Sequence, residues 1–274
     1  MTPFVSLSMY ALPEMAAANA TFWAAIREAL QEEGFANIPE TIVQPSLDLP
    51  EEIEPQTLLS HMCGYPLLAL YPGQYEILAA PLHDLPGCAM DPSGMPTHRS
   101  FIVVATDSPL RNLEDLRGAR FTMNGWHSNS GMNLPRHLVA RLAREARFFG
   151  SVTVSGAHVA SMAAVAEGSA DVAAIDCVTF GLVAHYRPKD ITRLRIIAET
   201  AASPAIPFIT SSHTEPALIE ALRRVLTGAA HRPALRQAMT GLSIRDIRPV
   251  KAQTYAAVAA FEEEAAAAGY STIA

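Results

Sequence analysis

The chain has 274 residues, half of them apolar, and 20 Lys plus Arg stand against 27 Asp plus Glu for a formal charge of −7. That length holds one large or two medium domains around a well-filled core, and so apolar a composition excludes a disordered chain. The acidic balance, with positive residues that are nearly all Arg, excludes a nucleic-acid footprint and a polybasic membrane patch, and no apolar run approaches the roughly 20 residues that span a bilayer.

Residues 4–8 alternate like a strand, a loop at 9–13 carries Tyr10, and 16–33 has the pattern of a helix stopped by Gly34. No Lys or Arg precedes Arg27, so the first ten residues are expected to be a strand and not a signal peptide. On that reading the chain as given is cytoplasmic, or periplasmic if a leader has been removed. A second short strand is expected at 41–43, then a Pro- and Glu-rich connector at 45–55, a helix at 55–62 and a buried strand at 66–70. Residues 74–81 read as a strand, 82–97 as a long Pro- and Gly-containing surface loop, and 100–106 as a strand. A short helix at 112–118, closed by Gly118, leads into a strand at 120–123.

The stretch Asn124-Gly125-Trp126-His127-Ser128-Asn129-Ser130-Gly131 follows that strand and precedes an amphipathic helix expected at 136–146. Ser128, Asn129 and Ser130 are preferred helix-cap residues, Gly131 lets a ligand approach the backbone, and a helix N-terminus carries partial positive charge. Such a turn can hold an anion, and it can equally be a helix cap with no ligand. Further on come a strand at 152–154, a turn at Ser155-Gly156-Ala157-His158, a helix at 159–167, and a buried strand at 171–175 ending at Asp176. A helix at 178–186, a strand at 194–198 and an extended stretch at 199–208 follow. The tail reads as helical throughout, at 216–230, 234–240 and 252–267. Strands alternating with helices imply parallel sheets, whose ligands bind beyond the carboxyl ends of the strands. The Ser128 turn, the His158 turn and Asp176 all fall at such ends. Cys63, Cys88 and Cys177 are too few and too widely spaced for a disulfide framework or a zinc site.

The run Leu113-x-x-Leu116-Arg117-Gly118-x-Arg120-Phe121, then Ser128-Asn129-Ser130-Gly131 with Pro135, then Ser155-Gly156-Ala157-His158 and 170–176, resembles the phosphate/phosphite/phosphonate-binding proteins of ABC transporters. These have the type 2 periplasmic binding protein fold, and the resemblance is best over 100–207. It implies an α/β, two-lobed architecture with a hinge and an interlobe cleft. The first lobe would be 1–104 plus 205–274, and the second, carrying the oxyanion site, 105–204.

It further implies that Ser128, Asn129, Ser130 and the Gly131 amide hold the ligand oxygens. His158 would add a donor whose titration makes binding pH-dependent near 6.5. Asn129 departs from the Ser or Thr usual there but still supplies donors. Tyr10 and Tyr65 would line the first lobe's crevice, and Asp176 either recognises a positive or hydroxyl-bearing part of the ligand or only caps a helix. His98 and Arg99, just before the 100–106 strand, are further candidates. The implied partners are a small anionic ligand and an ABC permease, with no cofactor, metal or nucleic acid. The alternative is a cytoplasmic enzyme on the same fold, of the kind that serves menaquinone or thiamine synthesis. Cys63 near His61 invites a nucleophilic reading, but the sequence shows no acid to orient the His.

Overall fold

The computed structural model describes residues 2–43 and 53–274. In chain order the strands are β1 (Phe4–Val5), β2 (Thr57–His61), β3 (Tyr75–His83), β4 (Ala89–Met90), β5 (Pro96–His98), β6 (Ser100–Ala105) and β7 (Arg120–Met123). They continue with β8 (Ser151–Val154), β9 (Val172–Asp176), β10 (Leu194–Glu199), β11 (Ser203–Pro204), β12 (Phe208–Ser211) and β13 (Ile244–Arg248). The α-helices are α1 (Ala16–Glu32), α2 (Gly64–Leu70), α3 (Leu134–Val139), α4 (His158–Ala166) and α5 (Cys177–Tyr186). The remaining four are α6 (Pro188–Ile191), α7 (Pro216–Thr227), α8 (Pro233–Gly241) and α9 (Ala256–Ala267).

Contacts divide the chain into two units. The first comprises Met1–Asp84, Cys88–Thr97 and Pro204–Tyr255. Its sheet has the order β1-β2-β12-β3-β13, in which β1 and β2 are parallel and the other neighbours antiparallel. Helix α1 buries Phe22, Trp23, Ile26, Ala29 and Leu30, a spacing that forms one helical face. Phe22 meets Phe208 of β12 with ring centroids 5.9 Å apart. Each such side chain removed from water contributes about 1.5–3 kcal/mol. Trp23 Nε1 donates to the Pro39 carbonyl at 3.0 Å, so its polar end is satisfied where its body is buried.

The second unit comprises Leu85–Gly87, His98–Ser203 and Ala256–Ala274. Its sheet runs β10-β6-β9-β7-β8. Strand β7 is parallel to β8 and β9, whereas β6 is antiparallel to β9 and β10. Val103, Val104, Phe121, Met123 and Val172 to Ile175 are buried, so the middle strands are covered on both faces and read as continuous apolar runs. The end of the chain closes this unit. The Ala274 carbonyl accepts from the amides of Phe148 and Phe149 at 2.7 and 2.9 Å.

Several expectations need correction. Within 55–62 the expected helix is replaced by strand β2 (Thr57–His61), because this five-residue segment, buried throughout, sits between β1 and β12 and completes the sheet ladder. Residues 66–70 belong to helix α2 instead of a strand; Pro66 falls in its first turn, where no intrahelical N–H is required. Residues 41–43 form no strand, although Val43 N donates to Val5 O at 2.8 Å. The connector at 45–55 lies mostly outside the described residues. The loop at 82–97 contains β4 and β5, and the tail is not helical throughout, since β13 pairs with β3. The sheets are mixed, not parallel.

The boundaries 1–104 plus 205–274 and 105–204 also shift. Strand β6 lies inside the second sheet between β10 and β9, and α9 packs on α3 of that unit.

Candidate functional site

Because β7, β8 and β9 are parallel, the turns that leave their carboxyl ends come off one edge of the second sheet. The turn after β7 enters a π-helical run, Asn129–Asn133, continuous with α3. Ser128 is its cap. Its Oγ accepts from the Gly131 amide at 2.8 Å, while the amides of Met132 and Asn133 go to the Ser128 carbonyl at 3.1 and 3.0 Å. Two struts fix this turn from behind. Ser100 of β6 donates its hydroxyl to the Ser130 carbonyl at 2.8 Å, and Asn129 Nδ2 donates to Ser203 Oγ at 2.9 Å.

The turn after β8 is tied to the end of β7. Ser155 N donates to the Met123 carbonyl at 2.8 Å, and Gly156 has φ +89°, a conformation that favours glycine. His158, the first residue of α4, is thereby brought to Ser130, with Nε2 2.9 Å from Ser130 Oγ. Ser130 Oγ is in turn 3.4 Å from Ser128 Oγ. His158 Nδ1 is sealed from solvent, and a backbone hydrogen bond with Ala174 also acts on the ring.

Asp176 ends β9 and is 1% exposed. Its Oδ1 accepts from the Val178 and Thr179 amides at 2.9 and 3.1 Å, which caps α5. Its Oδ2 is 2.6 Å from Nδ1 of His98, which is equally buried. The antiparallel pairing of Ser100 with Asp176 explains the meeting, since it brings the residue before β6 to the end of β9.

Burial opposes charge on His98, but the Asp176 charge and hydrogen bond overcome it and raise the imidazole above its ordinary value. Burial likewise acts to raise Asp176, and the charge and hydrogen bond of His98 hold it below the usual carboxylate range. His158 is lowered to about 4, first by burial and then by the charge of His98, with Asp176 acting the other way. It is therefore neutral at pH 7 without ligand, and the transition expected near 6.5 lies lower.

The sequence-predicted residues thus divide. Ser128, Ser130, His158 and Asp176 come together on one edge of the second unit. Asn129 turns inward: Nδ2 is engaged by Ser203, and Oδ1 accepts from Asn133 Nδ2 at 3.0 Å, so its side chain acts as a strut. The Gly131 amide is given to Ser128, and a Cβ on Gly131 would collide with Asn124 Oδ1. The glycine is thus required by packing inside the turn, which sequence attributed to ligand approach. His98 sits inside the cluster, while Arg99 faces away to Glu199 at 2.7 Å.

In the first unit, Tyr10 stands edge-on to His61 and His83, at centroid distances of 5.4 and 5.3 Å, and Tyr65 lies in the first turn of α2. His61 Nε2 donates to the Ile206 carbonyl at 2.9 Å. Among the described residues no group of three His, Cys, Asp or Glu is placed to hold a metal, and no helix is long and apolar enough to cross a membrane.

Residues 59–255 match the family model of periplasmic substrate-binding proteins of ABC phosphonate transporters. The chain belongs to this family. Its members are transporter substrate-binding proteins of the periplasm, so this is a phosphonate-binding substrate-binding protein and not an enzyme.

Solved structures show the fold. A binding protein component of an ABC phosphonate transporter from Pseudomonas aeruginosa superposes with a TM-score of 0.69 at 16% identity, over 98% of this chain and 97% of that one. PhnD1 from Prochlorococcus marinus, in complex with methylphosphonate, gives 0.69 at 13% identity over 96% and 97%. XAC2383 from Xanthomonas citri, bound to ATP, gives 0.67 at 18% identity over 98% of each chain. The architecture is the two-lobed α/β type 2 periplasmic binding protein fold of the phosphonate-binding family.

Proposed function

We propose that this phosphonate-binding protein captures its anion on the second unit, at Ser128, Ser130 and His158, with methylphosphonate, phosphite or a phosphate-like group as the ligand class. The observation that carries the reading is the 2.9 Å approach of His158 Nε2 to Ser130 Oγ, at the ends of two neighbouring parallel strands. With Nε2 protonated, neutral His158 donates to Ser130, and the Ser130 hydroxyl proton is then directed at the anion. Ser128 and the positive end of the helical run that starts at Asn129 add to this. Neutral donors suffice, because hydrogen bonds to a charged group contribute about 1.5–3 kcal/mol each.

Asp176 acts in this reading by fixing α5 and His98, and Asn129 by fixing the turn. Tyr10 and Tyr65, in the first unit, are further proposed ligand residues, and an ABC permease is the proposed partner. The test is a thermal-shift and urea-unfolding series with methylphosphonate, phosphite, phosphate and methanesulfonate. At 100 times its dissociation constant a ligand adds about 2.7 kcal/mol. Ser128→Ala with Ser130→Ala should abolish the response. A double variant that responds like wild type, or a wild type indifferent to all four anions, overturns the assignment.

A further inference from the structure

An anion site beside a buried carboxylate faces an electrostatic problem. Asp176 reaches His158 with its charge, and His158 touches Ser130, so an ionised Asp176 opposes any anion on the turn. The carboxylate cannot relax into water, being 1% exposed. Two amides and His98 account for its hydrogen bonds. Of these, His98 alone can carry a compensating charge.

The other titratable groups facing the pair are His158 from α4 and Cys177 from α5. Arg99, the nearest guanidinium in sequence, is paired with Glu199. We propose that His98 is an affinity-determining residue of the site: by pairing with Asp176 it makes the wall beside Ser128 and Ser130 electrically neutral, which allows a phosphonate-class anion to bind there. This rests on the oxyanion reading of the turn. His98 is a positioning residue in this scheme and touches no ligand.

The pair holds one proton, and its loss leaves a net negative charge. In wild type that loss occurs as pH rises through the raised value of His98, so affinity falls there. In His98→Gln the remaining proton sits on Asp176 and leaves at a lower pH. The variant should therefore match wild type at the acid end, bind methylphosphonate on the order of tenfold more weakly through neutral pH, and approach wild type again at the alkaline end. Taking the ratio of the two dissociation constants at each pH cancels the ligand's own protonation.

The second variant is His98→Gln with Asp176→Asn, which keeps a cap on α5 because Asn accepts the same amides. It should regain most of the tenfold at neutral pH, and its ratio to wild type should lose the neutral-pH dip. Both are checked for folding by thermal melting. If His98→Gln matches wild type at every pH, or if the double variant binds no better than the single one, the inference is wrong. A wild type that ignores methylphosphonate overturns the oxyanion reading and this inference with it; normal wild-type binding with an unaffected His98→Gln overturns this inference alone.

Discussion

Gly131 has no room for a side chain. The space a side chain needs is filled by Asn124 Oδ1, with Ser128 Oγ at 3.1 Å from the same point. Gly131→Ala should therefore displace Asn124 and weaken the Ser128 cap, costing about 1–3 kcal/mol by urea denaturation and much of the methylphosphonate response. An unchanged midpoint would show that the turn has room the packing denies.

His158 makes a pH prediction of definite sign. Its folded value of about 4 lies below the ordinary 6.5, so the unfolded chain takes up a proton across that interval that the folded chain refuses. Its contribution to stability is present above 6.5 and is lost as pH falls toward 4. Comparing urea midpoints of wild type and His158→Gln at pH 7 and pH 5 isolates this, because the other carboxylates and histidines titrate in both. The wild type should lose more on acidification than the variant; equal losses would place the His158 side chain in water.

Among the elements, α3 depends on partners distant in sequence. Arg136, 3% exposed, donates to Asn133 Oδ1 at 2.7 Å, to the Ser271 carbonyl at 2.8 Å and to Glu262 at 3.2 Å. Asn133 also donates to the Val258 carbonyl at 2.9 Å. Arg136→Ala leaves the buried Asn133 Oδ1 unmatched, while Ser271 and Glu262 can turn to water, and should cost about 1–3 kcal/mol in urea unfolding; a loss under about 0.5 kcal/mol would class the contact with surface pairs.

This dependence also marks how far the sequence could be read. Strands β7 and β9 and the turn at Ser155 were legible because short apolar runs end at cap residues, and Asp176 announced α5 by the same rule. Segments 55–62 and 66–70 were exchanged between helix and strand because each is a short apolar run, which periodicity alone does not resolve. Strands β12 and β13 are edged by polar residues and become strands by pairing with β3, a contact no local pattern encodes. His98 was legible only as a histidine before a strand, since its partner is set by the register of β6 on β9.

At the scale of the molecule, neither unit is a continuous piece of chain. The second takes its sheet from the middle of the sequence and residues 256–274 from the end, after the chain has returned through the first. The long separation of these contacts predicts slow folding compared with a chain of local pairs. It also ties the candidate site to the last residues of the chain. Ile273 is 1% exposed, the Ser271 carbonyl holds Arg136, Arg136 holds Asn133, and Asn133 holds Asn129 at the start of the turn. Removing residues 271–274 deletes the Ser271 and Ala274 acceptors and the Ile273 side chain together. The expected result is a loss of about 3 kcal/mol or more of stability and a weakened methylphosphonate response in whatever fraction stays folded. Hydrogen exchange locates the effect: amides of 129–133 should lose protection along with those of Phe148 and Phe149. If Phe148 and Phe149 open while 129–133 exchange as in wild type, the chain of bonds from Ser271 to Asn129 is not what orders the turn, and the struts from Ser100 and Ser203 hold it alone.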